Sequence, residues 1–436
     1  MDSGSVGQEM HSWAQDLWPM PRSLTGAGVR ATLEYVGKLL PGLTTTEIPS
    51  GTQVMDWQVP PEWRVNEAHI TAPNGERIAD WRSNNLHLVG YSTAINATLS
   101  REELDSHLYS IESLPDAIPY VTSYYEKRWG FSLSHAERMN LPLGDYQVVV
   151  DTELFDGHLT YADLVIPGKS EQEIVFSTYI CHPSMANNEL SGIVVATALA
   201  QWIMKREKCW YSYRFIFVPE TIGSLCYMDR NLDHLKSCVR AGWVVSCVGD
   251  EGPYSVIPSR TANVLAERIL LRALNALNKE VVRYSWLERG SDERQWCAPG
   301  VDLPMCGFSR SKYGMFPEYH TSLDDLSLVT SRGLQDSLAL LQECVRELER
   351  RPRFLATTLG EPQMGRRGMY PTLSNQSGGA VAANQSAIDA RSLMNVLSYC
   401  DGNHDCIDIG SLLGSEPVDI EEITSMLVSS GLLSRP

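Results

Sequence analysis

The sequence has little that would suit a membrane or a nucleic-acid backbone as its partner. Across 436 residues, no apolar run approaches the roughly 18 residues that a membrane span needs. Basic residues are in the minority, with 36 Lys and Arg against 53 Asp and Glu, and the formal charge of −17 would repel phosphate groups. The N-terminal segment MDSGSVGQEM lacks the basic start and the apolar stretch of a secretory signal. These absences predict a cytoplasmic protein that binds neither a membrane nor a nucleic acid.

Cysteine is absent from the first 180 residues, and the 10 cysteines all lie between Cys181 and Cys406. None of them forms a CxxC pair, so the sequence indicates neither a zinc ribbon nor a disulfide framework. With 43% hydrophobic and 20% charged residues, the composition is that of an ordinary globular protein. At about 150 residues per domain, the length predicts two to three domains.

The pattern of apolar residues predicts an α/β protein built around a mixed sheet. From residue 171 onward, short apolar runs such as Glu173–Ile180 and Tyr211–Val218 alternate with stretches of helical periodicity such as Gly192–Arg206. Before that, short Val- and Tyr-rich segments separated by turn motifs, such as Tyr146–Val150 and Tyr161–Ile166, predict small β-sheets. The predicted divisions are N-terminal helices of the main domain (1–50), an inserted, mostly β domain (51–170), the α/β part of the main domain (171–352), a wrapping linker (353–386) and a winged-helix-like domain (387–436).

The predicted C-terminal domain carries the wrong charge for DNA. Three short apolar clusters, around Leu393, Ile409 and Ile423, are typical of a winged helix or helix-turn-helix. Residues 388–436, however, contain eight acidic residues and two arginines. This balance favours a packing or dimerisation role over nucleic-acid binding.

Polar side chains follow three of the predicted strands. His182 comes after the first, Glu220 after the second and Asp250 after the third, and the later segment PEYHTSLDD adds His320. Loops at the carboxyl ends of strands are where open α/β sheets bind their ligands. Imidazoles and carboxylates are the ligands of a catalytic zinc ion, with water in the open position. Each residue alone could have a structural role, but together they predict a metal site.

In this order, the residues resemble the co-catalytic zinc aminopeptidase superfamily. The whole chain is more closely similar to bacterial aminopeptidase-like proteins with an inserted β domain and a C-terminal winged helix. The segments that carry this closer resemblance are WPMPRSLTGAG (18–28), SGTQVMDWQVPPEW (50–63), STYICHPSMANNELSG (177–192), RGSDERQW (289–296), PEYHTSLDD (317–325) and EPQMGRRGMYPT (361–372). The resemblance implies a zinc-dependent hydrolase, a homo-oligomer, and a place among accessory enzymes of polysaccharide or natural-product pathways.

Carried onto this chain, the resemblance implies that His182 and Asp250 bind one metal ion and that Glu220 and His320 bind a second. The family's bridging carboxylate falls at Asn188, whose neutral oxygen is a weaker ligand for two zinc ions. The family's general base falls at a proline, residue 219. We therefore expect one zinc ion rather than two.

The general base remains open at this point. If Glu220 binds the metal, Glu189 is the preferred base; if Glu220 is free, it is itself the base and the ligands are His, Asp and His. Glu251 and Glu318 are further candidates. In each case, zinc-bound water with a pKa near about 7 would attack an amide carbonyl, and a carboxylate would transfer the proton.

Substrate contacts are expected from Arg289 and Arg294, whose guanidinium groups suit a carboxylate or phosphate, and from Tyr319. The predicted activity is hydrolysis of a small peptide, aminoacyl or acylamino substrate. The alternative is a catalytically degenerate fold kept as a binding or assembly module, because Asn188 and the proline at 219 depart from the family pattern.

Overall fold

The computed structural model describes residues 3–207, 209–350, 353–369, 390–415 and 417–435, and these form two units, residues 1–346 and 347–436. The two units are described separately. The helices, in chain order, are α1 (Ser3–Leu17), α2 (Ala27–Leu39), α3 (Arg101–Asp105), α4 (His135–Met139), α5 (Ser191–Met204), α6 (Ile222–Cys238), α7 (Leu265–Ala276), α8 (Glu293–Trp296), α9 (Ser331–Glu349), α10 (Ala390–Ser398), α11 (Cys406–Leu413) and α12 (Pro417–Ser429).

The strands, in chain order, are β1 (Thr44–Pro49), β2 (Gln53–Val54), β3 (Trp57–Gln58), β4 (Glu62–Thr71), β5 (Arg77–Ile78), β6 (Ile95–Ser100), β7 (Leu108–Tyr109), β8 (Phe131–Ser132), β9 (Asp145–Phe155), β10 (His158–Ile166), β11 (Glu173–Tyr179), β12 (Ser212–Val218), β13 (Val239–Val245), β14 (Tyr254–Ile257), β15 (Val281–Arg283), β16 (Met305–Ser309), β17 (Arg353–Ala356), β18 (Asp401–Asp405) and β19 (Leu433–Ser434). Among the described residues, no helix is long and apolar enough to cross a membrane.

An eight-stranded mixed sheet forms the centre of the first unit, in the order β1-β10-β12-β11-β13-β16-β14-β15. The central strands β12, β11, β13 and β16 are parallel, and every residue of β11 and β12 is buried. Burial on both faces explains why these strands are continuous apolar runs in the sequence. The α/β class and the mixed sheet that the sequence predicts are confirmed.

The boundary of the inserted domain differs from the predicted interval 51–170. Strand β10, which contains the segment Tyr161–Ile166, belongs to the central sheet, where it pairs antiparallel with β1 and with β12. The inserted sheet is β5-β4-β9-β6, and its long strands β4 and β9 pair antiparallel. Both groups of strands have the same β-rich composition, so only the pairing partners separate them.

The second unit contains a three-stranded sheet, β18-β17-β19, with helices α10, α11 and α12. Its core is apolar, including Phe354, Val396, Leu427 and Leu432. Strand β17 lies in the segment predicted as a linker, yet it is the central strand of this sheet. The module therefore begins about 34 residues before the predicted start at 387, because a short strand needs only a few apolar residues and its partners are distant in sequence. Most of the predicted linker, residues 370–386, lies outside the described residues.

Candidate active site

The ends of β11 and β12 bring two of the predicted residues together. His182 follows β11 by three residues and Glu220 follows β12 by two. Because these strands are adjacent and parallel, their carboxyl ends lie at the same edge of the sheet. His182 Nε2 lies 3.6 Å from Glu220 Oε2.

His320 joins this pair from a later loop. Its ring centroid is 5.2 Å from that of His182, and its backbone has a left-handed φ of 56°. The inserted domain holds this loop in place, since Tyr120 donates its backbone amide to the carbonyl of His320 at 2.9 Å. The tyrosine ring packs 5.4 Å from His182 and 5.2 Å from His320. The long separation in sequence between Tyr120 and the histidines explains why this contact could not be predicted.

The three residues line a cavity of about 330 Å³. His320 Nε2 is buried and has no hydrogen-bond partner in the described part of the chain. Burial, together with the neighbouring His182, lowers the pKa of His320 to about 3, so its imidazole is neutral at neutral pH. A neutral imidazole nitrogen without a partner is a free metal donor, and two imidazoles with one carboxylate are the ligands of several catalytic zinc sites. The types of donor therefore suit zinc, although the donor atoms of the three side chains do not all lie within 4.8 Å of one another, so they would have to move closer together to hold an ion.

Glu189 lies beside Nδ1 of His182 and does not line the cavity. Its Oε2 accepts a hydrogen bond from His182 Nδ1 at 2.9 Å, which leaves Nε2 facing the cavity. Both Glu189 and its ion-pair partner Arg22 are fully buried, with Arg22 Nε 3.4 Å from Glu189 Oε1. Arg22 Nε also donates to the carbonyl of His182 at 3.1 Å. Glu189 does not line the cavity, so its geometry suits orientation of His182 rather than the predicted role as base.

Burial would by itself lower the pKa of His182, but the neighbouring Cys181 and Glu189 raise it well above its ordinary value. Burial raises the pKa of Glu189. The sequence analysis did not single out Arg22 as an individual residue, although it lies within the segment WPMPRSLTGAG. Arg22 contacts both the carbonyl of His182, which lines the cavity, and the carboxylate of Glu189 behind it. These contacts are visible only in the tertiary structure.

Glu220 is held by the segment RGSDERQW. Ser291 Oγ donates to Glu220 Oε1 at 2.8 Å, and Asp292 Oδ1 accepts from the amide of Thr221 at 2.7 Å. Thr221 has a left-handed φ of 64°, so this turn needs such support. Burial and the nearby Glu220 raise the pKa of Asp292 to about 8. Ser291 and Asp292 thus position the carboxylate without lining the cavity.

The predicted substrate contacts have different outcomes. Arg294 lines the cavity and donates from Nη2 to Thr221 Oγ1 at 2.8 Å. Tyr319 stacks on His320 with ring centroids 3.9 Å apart, so it supports that ring and does not line the cavity. Arg289 is exposed and lies over the ring of Trp286, away from the site, because its side chain stays local to its own turn.

Asp250 lies outside the cavity, contrary to prediction. Its carboxylate accepts hydrogen bonds from Asn187 Nδ2 at 2.7 Å and from Ser311 Oγ at 2.8 Å. It lines a separate cavity together with Glu251 and Glu318, so neither of those candidate bases lies at the site. Asp250 is five residues beyond the end of β13, far enough for the chain to turn away.

Cys247, which follows β13 by two residues, contacts Asn188, whose Nδ2 lies 3.7 Å from the Sγ of the cysteine. Burial raises the pKa of this thiol, so it remains protonated. Asn188 Nδ2 also donates to the hydroxyl of Tyr179 at 2.9 Å, and the ring of Tyr179 packs against His182. Asn188 Oδ1 is buried without a partner among the described residues. The position expected to bridge two metal ions thus offers one neutral oxygen.

Comparison with known proteins identifies the family. A family described as a domain of unknown function (DUF4910) matches residues 11–351, and a winged helix-turn-helix family matches residues 353–435. A protein of Clostridium acetobutylicum, provisionally named as a polysaccharide biosynthesis protein with an aminopeptidase-like domain, is 38% identical over 416 residues, which is 95% of this chain and 93% of that protein.

Solved structures agree with this assignment. The crystal structure of a provisionally named peptidase from Clostridium acetobutylicum has a TM-score of 0.82 and 37% identity, covering 100% of this chain and 98% of that one. A zinc aminopeptidase from Bacillus subtilis has a TM-score of 0.57 at 12% identity, covering 78% of this chain and 95% of its own, and shows the shared fold. The predicted resemblance is confirmed: the chain belongs to the DUF4910 family of aminopeptidase-like proteins, with a C-terminal winged helix.

Proposed function

We propose that this protein is a zinc-dependent amide hydrolase that acts on a small peptide, aminoacyl or acylamino substrate. The observation that carries the proposal is that His182, Glu220 and His320 line one cavity, with His182 Nε2 3.6 Å from Glu220 Oε2 and with His320 Nε2 lacking a partner among the described residues. After a small approach of the three side chains, they would supply the ligands of a catalytic zinc site, which keeps a fourth position for water or substrate.

One zinc ion is proposed rather than two. A second ion would need a negatively charged bridge, and residue 188 is a neutral asparagine. Asp250, the remaining acidic residue of the predicted set, is held by its own hydrogen bonds in another cavity. Zinc held by His182, His320 and Glu220 would polarise the amide carbonyl and lower the pKa of water at the site.

The chain's own residues supply orientation and binding. Glu189 fixes the ring of His182 through Nδ1, and Ser291 holds one oxygen of Glu220 while the other faces His182. Arg294 at the cavity wall would bind a substrate carboxylate or the carbonyl oxygen of the amide. Among the described residues, Glu220 is the carboxylate that lines this cavity, so the ligand and base roles both fall on it.

The proposed substrate class is based on the aromatic lining of the cavity and on the name of the relative from Clostridium acetobutylicum. Trp57 and three tyrosines of the inserted domain, Tyr120, Tyr124 and Tyr125, line the same cavity as the histidines. Aromatic faces of this kind can pack against the apolar C–H face of a sugar ring. The relative from Clostridium acetobutylicum is named for polysaccharide biosynthesis, so an acylamino sugar is the substrate class that we propose to test alongside short peptides.

The test begins with metal content. Protein purified without a chelator or a histidine tag should contain about one zinc ion per chain by plasma mass spectrometry, and His182→Ala and His320→Ala should each lose it. Unchanged metal content in both variants would disprove the site. Hydrolysis of aminoacyl anilides and acylamino sugars is then measured with the loaded protein.

Glu220→Gln separates the two roles of that residue. Loss of zinc identifies Glu220 as a ligand, whereas retained zinc with loss of hydrolysis identifies it as the base. A wild-type protein that takes up no metal even after dialysis against zinc would instead support the binding or assembly role suggested by Asn188 and the proline at 219.

A further inference from the structure

A second cavity, of about 280 Å³, lies between the start of α2 and the inserted sheet. It is next to the metal cavity, since Tyr120 and Tyr124 line both. Residues 21–23 and 25–28 of the segment WPMPRSLTGAG line it, and apart from Arg22 they have no part in the proposed amide hydrolysis.

Helix α2 begins at this cavity without a capping side chain. The preceding residue, Gly26, has a φ of 102°, and a Cβ atom at Gly28 would lie 2.2 Å from the carbonyl oxygen of Pro21. Both glycines are therefore required for the chain to turn this tightly. In the described part of the chain, the amides of Ala27 and Gly28 have no hydrogen-bond acceptor. Such free amides, at the positive end of a 13-residue helix, attract an anion.

Arg22 provides the second, independent observation. It lines the same cavity and is only 2% exposed. Its Nε donates to the carbonyl of His182 and its Nη1 to the carbonyl of Leu17, at 3.1 and 2.7 Å. Nη2 is buried and has no partner among the residues that the structure describes. A buried donor left without a partner is costly, so a ligand oxygen at this position would stabilise it.

The charged groups of the cavity have ion-pair partners. Arg22 is paired through Nε with the buried carboxylate of Glu189, at 3.4 Å. Glu62 binds Arg30 through one oxygen at 2.6 Å and accepts the amide of His158 through the other at 3.0 Å, and Arg64 is paired with Glu153. Glu62 is therefore not available to Arg22, and the described residues leave Nη2 of Arg22 and the first amides of α2 as donors for a ligand.

Aromatic side chains form much of the remaining wall. They are Trp63, Trp81, Tyr120, Tyr124 and Phe155. A cavity of this size, with apolar walls and clustered donors at one side, matches a small ring compound that carries an anionic group.

We propose that this cavity is a binding site for a small-molecule anion, a carboxylate or phosphate attached to a ring, with its oxygens on the first amides of α2 and Nη2 of Arg22. The ring lies between the aromatic side chains. The site contains none of the proposed metal ligands, although Arg22 also contacts the backbone of His182, and its occupation does not depend on amide hydrolysis.

The test uses matched ring compounds and the full-length chain. Benzoate, phenyl phosphate and the uncharged benzyl alcohol are titrated calorimetrically into protein from which metal has been removed, so that zinc cannot bind the anions. At least one of the two anions should bind at one site per chain, and benzyl alcohol should bind at least tenfold more weakly. Which anion binds more tightly distinguishes a carboxylate from a phosphate ligand.

Two substitutions at Ala27 locate the site. Ala27 is exposed and is the first residue of α2, where an aspartate is favourable for the helix and would place a competing carboxylate at the free amides. Ala27→Asp should weaken anion binding at least tenfold. Ala27→Asn introduces a side chain of the same shape as aspartate without the charge, so its affinity for the anion should stay within about threefold of wild type. Thermal unfolding of both variants checks that they are folded.

Arg294→Gln, in the metal cavity, should leave anion binding unchanged. Absence of binding by both anions, equal binding to Ala27→Asp and Ala27→Asn, or loss of binding in Arg294→Gln instead would overturn the proposal. Metal content and hydrolysis are not measured in this experiment, so its failure would leave the proposed function standing.

Discussion

Replacing Glu189 by glutamine tests whether this carboxylate acts through His182. The substitution keeps an oxygen that can accept from His182 Nδ1, now 2.9 Å from the carboxylate, but removes the negative charge. Loss of such a partner to a metal-binding histidine typically weakens metal affinity by about 10- to 100-fold. This corresponds to about 1.4 to 2.8 kcal/mol of binding free energy. We expect zinc affinity to fall within this range.

Removal of the charge also leaves Arg22 without its carboxylate partner. Both side chains are fully buried, and loss of one partner of a buried ion pair costs about 3 to 5 kcal/mol in general. The cost here should fall at or below the lower end, because Arg22 keeps its hydrogen bonds to the carbonyls of His182 and Leu17. The urea midpoint of the metal-free protein should therefore decrease.

The assay is a competition between the full-length protein and a chromophoric zinc chelator, after prior removal of metal. Glu318→Gln is the matched control, because Glu318 was a further candidate for the base and lies in the separate cavity with Asp250. It should retain wild-type affinity. If the zinc affinity of Glu189→Gln is within twofold of wild type, the assigned role of Glu189 in orienting His182 is refuted. Complete loss of hydrolysis at unchanged zinc affinity would instead identify Glu189 as the base.

Three further predictions concern other positions. Asn188→Asp should raise zinc content from about one toward two ions per chain, measured by plasma mass spectrometry; an unchanged content would contradict the view that the neutral oxygen at 188 limits the site. Asp250→Asn should leave zinc content unchanged while lowering the free energy of unfolding by about 1 to 3 kcal/mol in urea, because its buried carboxylate accepts several hydrogen bonds; loss of zinc would return Asp250 to the ligand set. Gly28→Ala should destabilise by about 1 to 3 kcal/mol, since its Cβ would lie 2.2 Å from the carbonyl of Pro21. Gly37→Ala in the same helix, whose Cβ would meet only a side chain at 3.9 Å, should stabilise by about 0.5 to 1 kcal/mol; equal effects of the two substitutions would show that the turn at Gly28 is not close-packed.

From the sequence alone, the α/β class and three residues of the candidate site could be predicted. Buried parallel strands are continuous apolar runs, and the residues just beyond them lie at one edge of the sheet, so His182 and Glu220 could be predicted to meet. His320 was predicted from its segment and from the family resemblance. The same reasoning placed Asp250 beside them, whereas the structure has it in a separate cavity, because the position of a residue several places beyond a strand end is set by how the loop turns.

The groups that surround those three residues could be identified only from the folded structure. Arg22 and Tyr120 reach the histidines from elements that are far away in sequence, and no local periodicity marks them. The same holds for the partners of β10 and β17, whose compositions fit more than one sheet. A side chain's chemistry is local information and can be read along the chain, whereas its neighbours depend on the packing of distant segments, which the burial of apolar surface fixes only when the whole chain folds.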